Sequence, residues 1–101
     1  MQYKIINEIN REGGSIIMIM GEKILAKVEY KESLHDVIIK DISIHPSIAG
    51  RGLSDELLCL VTIKARRENK LILPSCHLTR RLLKRNLCYK MGYKNFFYSR
   101  S

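Results

Sequence analysis

The chain has 101 residues, of which 46% are hydrophobic, with 18 lysines and arginines against 10 aspartates and glutamates. This length predicts a single domain over residues 1–101, and the apolar content excludes an intrinsically disordered chain. No apolar run approaches the roughly 18 residues of a membrane span, and the N-terminus lacks the pattern of a signal peptide. The net charge of +8 predicts an anionic partner: nucleic acid, a phosphorylated cofactor or an acidic protein.

The cysteines are three in number, and no two of them have Cys-x-x-Cys spacing. An odd count predicts reduced thiols rather than a disulfide framework, and the spacing gives no indication of a metal site. Cys59 lies in a helical stretch, where we interpret it as a packing residue. Reduced thiols without a secretion signal predict a cytoplasmic protein.

The first half of the chain is predicted to be an antiparallel meander. Its strand-like stretches alternate or are β-branched, and short turns rich in glycine, serine and charged residues separate them. The predicted strands are Gln2–Ile9, Ser15–Met20, Ile24–Tyr30 and Val37–Ile44. No linker or shift in composition follows them, so we expect the second half to join the same domain.

The second half has helical periodicity, interrupted by one short strand. A first helix from Leu53 has one apolar face, and its basic residues gather at the C-terminal end, where the helix dipole favours cations. That face consists of Leu57, Leu58, Val61 and Ala65. The strand Leu71–Pro74 follows, and a last strand is predicted over Tyr93–Tyr98.

A second helix is predicted between these two strands, with Ser75 as its cap. Its inward residues are predicted to be Leu78, Leu82, Leu83 and Leu87. The order of the elements predicts an α+β fold with two main helices. Its mixed, mainly antiparallel sheet contains a central βαβ unit around the glycines that follow the fourth strand.

Those glycines, in Gly50-Arg51-Gly52, are the first candidate for a binding site. Glycine permits positive φ and close approach to the backbone, and a helix N-terminus presents free N–H groups with partial positive charge. Together with Leu53 and Ser54, which open the helix, they predict a seat for a phosphate. The alternative is an ordinary strand-to-helix turn in which Arg51 is only solvated.

Around this turn the sequence resembles a known family. The stretch Ile42-Ser43-Ile44-His45-Pro46, followed three residues later by Gly50-Arg51-Gly52-Leu53-Ser54, resembles motif A of the GNAT acyl-CoA N-acyltransferases. Leu87-Cys88-Tyr89-Lys90-Met91-Gly92-Tyr93 resembles the Leu-Tyr-x-Lys-x-Gly-Phe run near the end of many members. The segment Leu71–Cys76 is similar to very small stand-alone members, and the whole resemblance covers roughly residues 37–97.

The resemblance implies an N-acetyltransferase that moves an acetyl group from acetyl-CoA to an unidentified amine. It implies that backbone N–H groups of the glycine turn hold the pyrophosphate of coenzyme A. It also implies that backbone groups near Ser43 and Ile44 position the pantetheine and polarise the thioester carbonyl. The family's acceptor-side helices have no room between the first two strands, so the acceptor side is either open or completed by a partner subunit, as in a homodimer.

The chain departs from the family pattern at several places. The leading Arg or Gln of motif A is replaced by Ala49 or Ser47, depending on the alignment, and Ser54 is bulkier than the usual Gly or Ala. The tyrosine that often protonates the leaving thiolate aligns with Cys88, while Tyr89 stands one residue later. These departures concern catalysis rather than the fold.

Two residues are candidates for catalysis. Asp41 precedes Ile42, where some family members place the general base that removes a proton from the amine. Its alternative is a strand-face carboxylate paired with Lys40 or with a basic residue of a neighbouring strand. Cys76 ends the short strand, where a thiolate with a pKa lowered by a helix N-terminus could accept an acyl group. Its alternative is a small buried residue.

A rival function follows from the basic residues near the C-terminus. Cations of the second helix and beyond lie close in sequence to aromatic residues, which would suit a basic binding module for nucleic acid or a protein. The cations are Arg80, Arg81, Lys84, Arg85, Lys90 and Lys94, and the aromatic residues are Tyr89, Tyr93, Phe96 and Phe97. The alternative is that these cations form a solvated outer face, and we favour it because no nucleic-acid-binding motif accompanies them. We therefore favour a coenzyme A thioester over nucleic acid as the partner.

Overall fold

The computed structural model describes residues 3–46, 52–86 and 88. Its elements in chain order are β1 Lys4–Ile9, β2 Gly13–Met20, β3 Lys23–Glu32, β4 Asp36–Ile44, α1 Leu53–Arg67, β5 Leu71–Pro74 and α2 His77–Arg85. The sheet has the strand order β1-β2-β3-β4-β5. The predicted strand Tyr93–Tyr98 lies outside the described residues.

The pairing of the strands confirms the predicted α+β class. The first four strands form an antiparallel meander. β4 and β5 are parallel, because α1 carries the chain across the sheet between them. The predicted βαβ unit is therefore β4-α1-β5.

The hydrophobic core lies between the sheet and α1. Leu57, Leu58, Val61 and Ala65 are completely buried, which confirms the predicted apolar face of α1. The sheet contributes mainly β-branched residues and Met18, and α2 contributes Leu83. Burial of these side chains is the main stabilising contribution to the fold.

The start of α2 differs from the prediction. The N-cap is Cys76, which forms a capping box with Thr79, and Ser75 instead donates its hydroxyl to the Lys40 carbonyl at 3.2 Å. The capping bonds hold Thr79 inward, so the fully buried side chains of α2 are Thr79 and Leu83. Leu78 was predicted to face inward but is 55% exposed, because it lies beside the helix face that carries Thr79 and Leu83.

One bulge in β4 determines which side chains face the core. Glu29 pairs with Asp41 and Tyr30 with Ile39, so Lys40 is an extra residue without a partner in β3. Val37 and Ile39 face the core before the bulge, and Ile42 and Ile44 pack against the core after it. Without the extra residue, the strict alternation of a strand would turn Asp41 and Ser43 toward the core.

Two cysteines are paired, contrary to the prediction of reduced thiols. Cys59 of α1 and Cys88 form a disulfide, with their Cα atoms 5.2 Å apart. The prediction was wrong because sequence spacing does not show that the chain beyond α2 returns to α1, 29 residues away in sequence. Cys59 is therefore a crosslink as well as a packing residue, and the argument from free thiols for a cytoplasmic protein does not hold.

A close contact in β2 explains why Gly14 has no side chain. Tyr30 is buried, and its hydroxyl donates to Asn7 Oδ1 at 3.2 Å across β2. A Cβ atom at Gly14 would lie 2.3 Å from the carbonyl oxygen of Glu8 and 2.7 Å from the Tyr30 hydroxyl. The backbone carbonyl cannot move away without disturbing the pairing of β1 with β2.

We predict that Gly14→Ala lowers the free energy of unfolding by about 1–3 kcal/mol, the usual effect of overpacking. Chemical denaturation followed by circular dichroism measures this change. Ser15→Ala, at the half-buried neighbouring position, is the matched control and should change stability much less. Equal stability of Gly14→Ala and the wild type would contradict the contact.

Candidate functional site

The pairing of the two parallel strands stops before the end of β4, because β5 ends at Pro74 while β4 continues to Ile44. β4 and β5 pair from Asp36 opposite Leu71 to Ile39 opposite Pro74. The last links between the two arms come from Ser75, whose N–H donates to the Ile39 carbonyl at 3.0 Å and whose hydroxyl donates to Lys40. We call the opening beyond these bonds the sheet fork, bounded by residues 40–44 on one arm and 74–76 on the other.

The backbone of β4 offers hydrogen-bonding groups to the sheet fork. The His45 N–H donates to the Leu25 carbonyl at 2.7 Å, so His45 directs its backbone toward β3. In an antiparallel pair this orientation alternates along the strand. The backbone N–H and C=O groups of Asp41 and Ser43 therefore also point toward β3, and those of Ile42 and Ile44 point into the fork.

This orientation refines the residues proposed from the sequence. Ile44 offers its backbone to the fork, whereas Ser43 offers its hydroxyl and not its backbone. Ile42 was not identified from the sequence. The available signal was the consecutive polar pair Lys40-Asp41, which breaks the alternation of the strand and marks the bulge.

Asp41 and Ser43 lie on the face of β4 away from the core. The Ser43 hydroxyl donates to Asp41 Oδ2 at 3.3 Å, and both residues are exposed. The ion pairs of the described residues do not include Asp41, so the alternative pairing with Lys40 is not formed. Glu29, directly opposite on β3, pairs instead with Lys27 at 3.4 Å.

Cys76 lies on the other arm of the fork, at the N-cap position of α2. Hydrogen bonding with Thr79, first with its backbone N–H and then with its side chain, lowers the pKa of the Cys76 thiol below its usual value. The negative charge of the Asp41 carboxylate opposes this lowering of the Cys76 pKa. Cys76 is exposed, so the alternative of a small buried cysteine is wrong.

We predict that Cys76 reacts with iodoacetamide as a thiolate at a lower pH than an ordinary cysteine does. With the disulfide intact, Cys76 is the only free thiol among the described residues, so mass spectrometry follows it directly. Because the lowered pKa leaves the thiolate populated as the pH falls, the rate should reach half its maximum below the ordinary thiol pKa. Thr79→Val should raise this midpoint, and a wild-type midpoint at or above the ordinary value would contradict the hydrogen bonding.

The N-terminus of α1 has the backbone geometry expected of an anion seat. Gly52 is its N-cap residue, with φ 76° and ψ 10°, and no side chain of the described residues caps the helix. An added Cβ at Gly52 would meet no described atom within 4 Å. Leu53 is buried and can offer only its backbone. Gly50, Arg51 and the Ser54 side chain lie outside the described part of the structure.

Both acidic residues in the first turn of α1 have partners of their own. Asn86 donates its amide to the carbonyl and to Oδ1 of Asp55, at 3.0 and 3.2 Å. The Tyr3 hydroxyl donates to Glu56 Oε2 at 2.6 Å. These bonds hold the two carboxylates through neighbouring elements, and they fix the start of α1 against the residue that follows α2.

Other kinds of site have no support within the described residues. No group of three or more histidine, cysteine, aspartate or glutamate residues is placed to hold a metal ion there. None of the helices seen in residues 3–46, 52–86 and 88 is long and apolar enough to cross a membrane. The basic residues of α2 are exposed: Arg80, Arg81, Lys84 and Arg85.

Comparison with known proteins agrees with this geometry. A model of the GCN5-related N-acetyl-transferase family matches residues 15–91, from β2 to beyond α2, and therefore includes both arms of the sheet fork and the N-terminus of α1. A search of curated proteins found no match. The chain belongs to the GCN5-related N-acetyltransferase family.

Proposed function

We propose that the protein transfers an acetyl group from acetyl-CoA to an amine. The observation that carries this proposal is the sheet fork, where Ile42 and Ile44 have no strand partner among the described residues on the side away from β3, together with the N-terminus of α1, which no described side chain caps. An elongated ligand with amides in its middle and phosphates at one end fits this combination. The family supports an acetyltransferase, while the acyl donor and the acceptor are our proposal.

The described residues suit the chemistry of coenzyme A. Ile42 and Ile44 offer N–H and C=O groups that can pair with the pantetheine amides as a neighbouring strand would. The free N–H groups at the start of α1 are suited to the pyrophosphate, with Gly50, Arg51 and Ser54 as further proposed contacts. The thioester supplies the activated acetyl group, and the net charge of +8 attracts this polyanion.

Asp41 is our proposed general base. It lies exposed on β4 and belongs to no ion pair among the described residues, so it can take a proton from the attacking amine directly or through a water molecule. Ser43 orients the carboxylate by its hydrogen bond to Oδ2. The positive net charge repels polyamines, so we propose a neutral or acidic acceptor.

Cys76 supports a second route through the same fork. Its thiolate would attack the thioester carbonyl, forming a new C–S bond to the acetyl group as the bond to coenzyme A breaks. The amine nitrogen would then attack the acetyl carbonyl and lose its proton to Asp41, while the C–S bond to Cys76 breaks and returns the thiolate. Cys88, which aligns with the tyrosine that acts as acid in other members, is held in the disulfide and has no thiol proton to donate.

We predict that coenzyme A stabilises the folded protein. At 100 times its dissociation constant, a ligand that binds only the folded state adds about 2.7 kcal/mol to the free energy of unfolding. For a domain of this size, the melting temperature should rise by roughly 10 °C or more. Thermal unfolding measures the shift, and dephospho-coenzyme A should give a smaller one if basic side chains contact the 3′-phosphate.

The matched variants for this experiment are Gly52→Val and Gly21→Val. Both glycines have positive φ, 76° and 64°, and open space where a Cβ would lie, so both variants carry similar backbone strain. Only Gly52→Val should abolish the stabilisation, because only Gly52 adjoins the proposed phosphate seat. No stabilisation of the wild type by saturating coenzyme A or acetyl-CoA would overturn the proposal.

We predict that Asp41→Asn lowers the rate of acetyl transfer about 10²-fold if Asp41 is the base. Glu29→Gln, which removes the carboxylate directly opposite Asp41, is the matched control and should keep most of the activity. Release of the coenzyme A thiol, coupled to amine acetylation, measures the rate. Full activity of Asp41→Asn would remove it from the mechanism, and full activity of Cys76→Ala would exclude the covalent route.

The exposed basic residues of α2 favour one alternative function. A fold retained as a basic module would bind nucleic acid or an acidic protein through these cations, with affinity that falls steeply as salt rises. The coenzyme A experiment separates the two functions. A protein that coenzyme A does not stabilise but that binds RNA with a steep salt dependence would be the basic module.

A further inference from the structure

β1 forms the edge of the sheet at the opposite end from the sheet fork. All of its residues are exposed, including Ile5, Ile6 and Ile9 at 43%, 41% and 75%. Edge strands in monomeric proteins are usually short, charged or covered, because an open edge can pair with another chain. β1 combines an open edge among the described residues with apolar side chains on both of its faces.

The direction of the free backbone groups of β1 follows from its hairpin with β2. The Asn10 N–H donates to the Gly13 carbonyl at 3.0 Å, so Asn10 directs its backbone toward β2. Because this orientation alternates along the strand, the even-numbered residues of β1 also direct their backbone groups toward β2. Ile5, Asn7 and Ile9 direct their N–H and C=O groups away from β2, toward the open edge. These groups have no strand partner within the described residues.

The face of β1 that carries Ile5 and Ile9 borders an apolar groove. Leu60 and Ile63 of α1 form the apolar part of its other wall, at 36% and 40% exposed. Three charged residues also line that wall: Lys64, Arg67 and Glu68. The groove has a volume of about 440 Å³. An apolar groove beside an open strand edge is a surface that a second strand can cover.

The other face of β1 carries charges that are complementary to each other. Lys4 and Glu8 are exposed, with Ile6 between them, and neither belongs to an ion pair among the described residues. An antiparallel strand reverses the order of these residues. A copy of the same strand therefore offers Glu8 where the first copy offers Lys4.

We infer that β1 pairs with β1 of a second copy of this chain, with the two-fold axis at Ile6. In this register Lys4 of each copy faces Glu8 of the other, and Ile6 faces Ile6. The outward backbone groups of Ile5 face those of Asn7 and form hydrogen-bonded pairs. The two sheets join into one continuous sheet with the self-complementary contacts required of a two-fold interface.

Other registers fit this surface less well. Shifting one β1 strand along the other by an odd number of residues would place side chains from opposite faces of the sheet opposite each other. Antiparallel pairing does not allow this arrangement. Moving the axis to Asn7 keeps the hydrogen bonding, but it places Ile6 opposite Glu8 and Lys4 opposite Asn10. The axis at Ile6 is the register that satisfies both charges and also places Tyr3 opposite Ile9.

The interface would also cover the apolar groove of each copy. Ile5 and Ile9 of both strands lie on the same face of the joined sheet, so the two grooves meet there. The sheet fork lies at the far edge of each copy, three strands away from β1. Dimer formation and coenzyme A binding can therefore be tested separately.

Analytical ultracentrifugation of the full chain tests the inference. The wild type should sediment as a dimer of 11.7-kDa chains that dissociates on dilution. Lys4→Glu or Glu8→Lys places like charges opposite each other twice per dimer, and each should raise the dissociation constant about tenfold or more. The double variant Lys4→Glu/Glu8→Lys restores opposite charges and should recover the wild-type constant.

Lys23→Glu is the matched control, since it makes the same change in net charge at an exposed lysine of β3 outside β1. It should leave the dimer intact. A wild-type protein that stays monomeric at high concentration would overturn the inference. Coverage of β1 by another segment of the same chain would give this result. A dimer insensitive to Lys4→Glu, or single variants that the double variant does not rescue, would also overturn it.

Discussion

The point at which β4 and β5 stop pairing is the constraint on which the rest of the site depends. Pairing stops at Pro74, which has no N–H to donate, and Ser75 then ties the second arm to the Ile39 and Lys40 carbonyls. The same place holds the bulge at Lys40, which changes the direction of every later side chain in β4. One local irregularity thus keeps Ile42 and Ile44 packed against the core and presents Asp41 and Ser43 on the opposite face.

The end of α2 is fixed to the start of α1 by two independent links. Asn86 is buried and binds the first turn of α1 through Asp55, and the Cys59–Cys88 disulfide joins the next turn to the chain just beyond α2. The βαβ unit places the start of α1 beside the fork. These two links hold Asn86 and Cys88, just after α2, against α1. Cys76, at the other end of α2, consequently keeps a defined position on the second arm.

Periodicity was sufficient to predict the five strands and two helices of the described residues and the buried face of α1, because those features follow from local alternation and helical spacing. The bulge was missed because the strand was interpreted as regular, although Lys40-Asp41 interrupted its pattern. The N-cap of α2 is Cys76 and not Ser75, because the Ser75 hydroxyl donates to the Lys40 carbonyl. Local sequence does not predict this tertiary contact. The disulfide could not be predicted because it joins residues 29 apart in sequence that only the folded chain brings together. The place of β1 at the edge of the sheet follows from the strand order, which the sequence does not state.

The central claim is that an acyl-CoA lies in the sheet fork and pairs with the backbone of β4. Hydrogen–deuterium exchange of individual amides, followed by NMR, measures this pairing directly. The Ile42 and Ile44 amides point into the fork and should become protected when acetyl-CoA is added, whereas the Ser43 amide, which faces β3, should be protected in both states. Saturating acetyl-CoA that leaves the exchange of Ile42 and Ile44 unchanged would contradict the account.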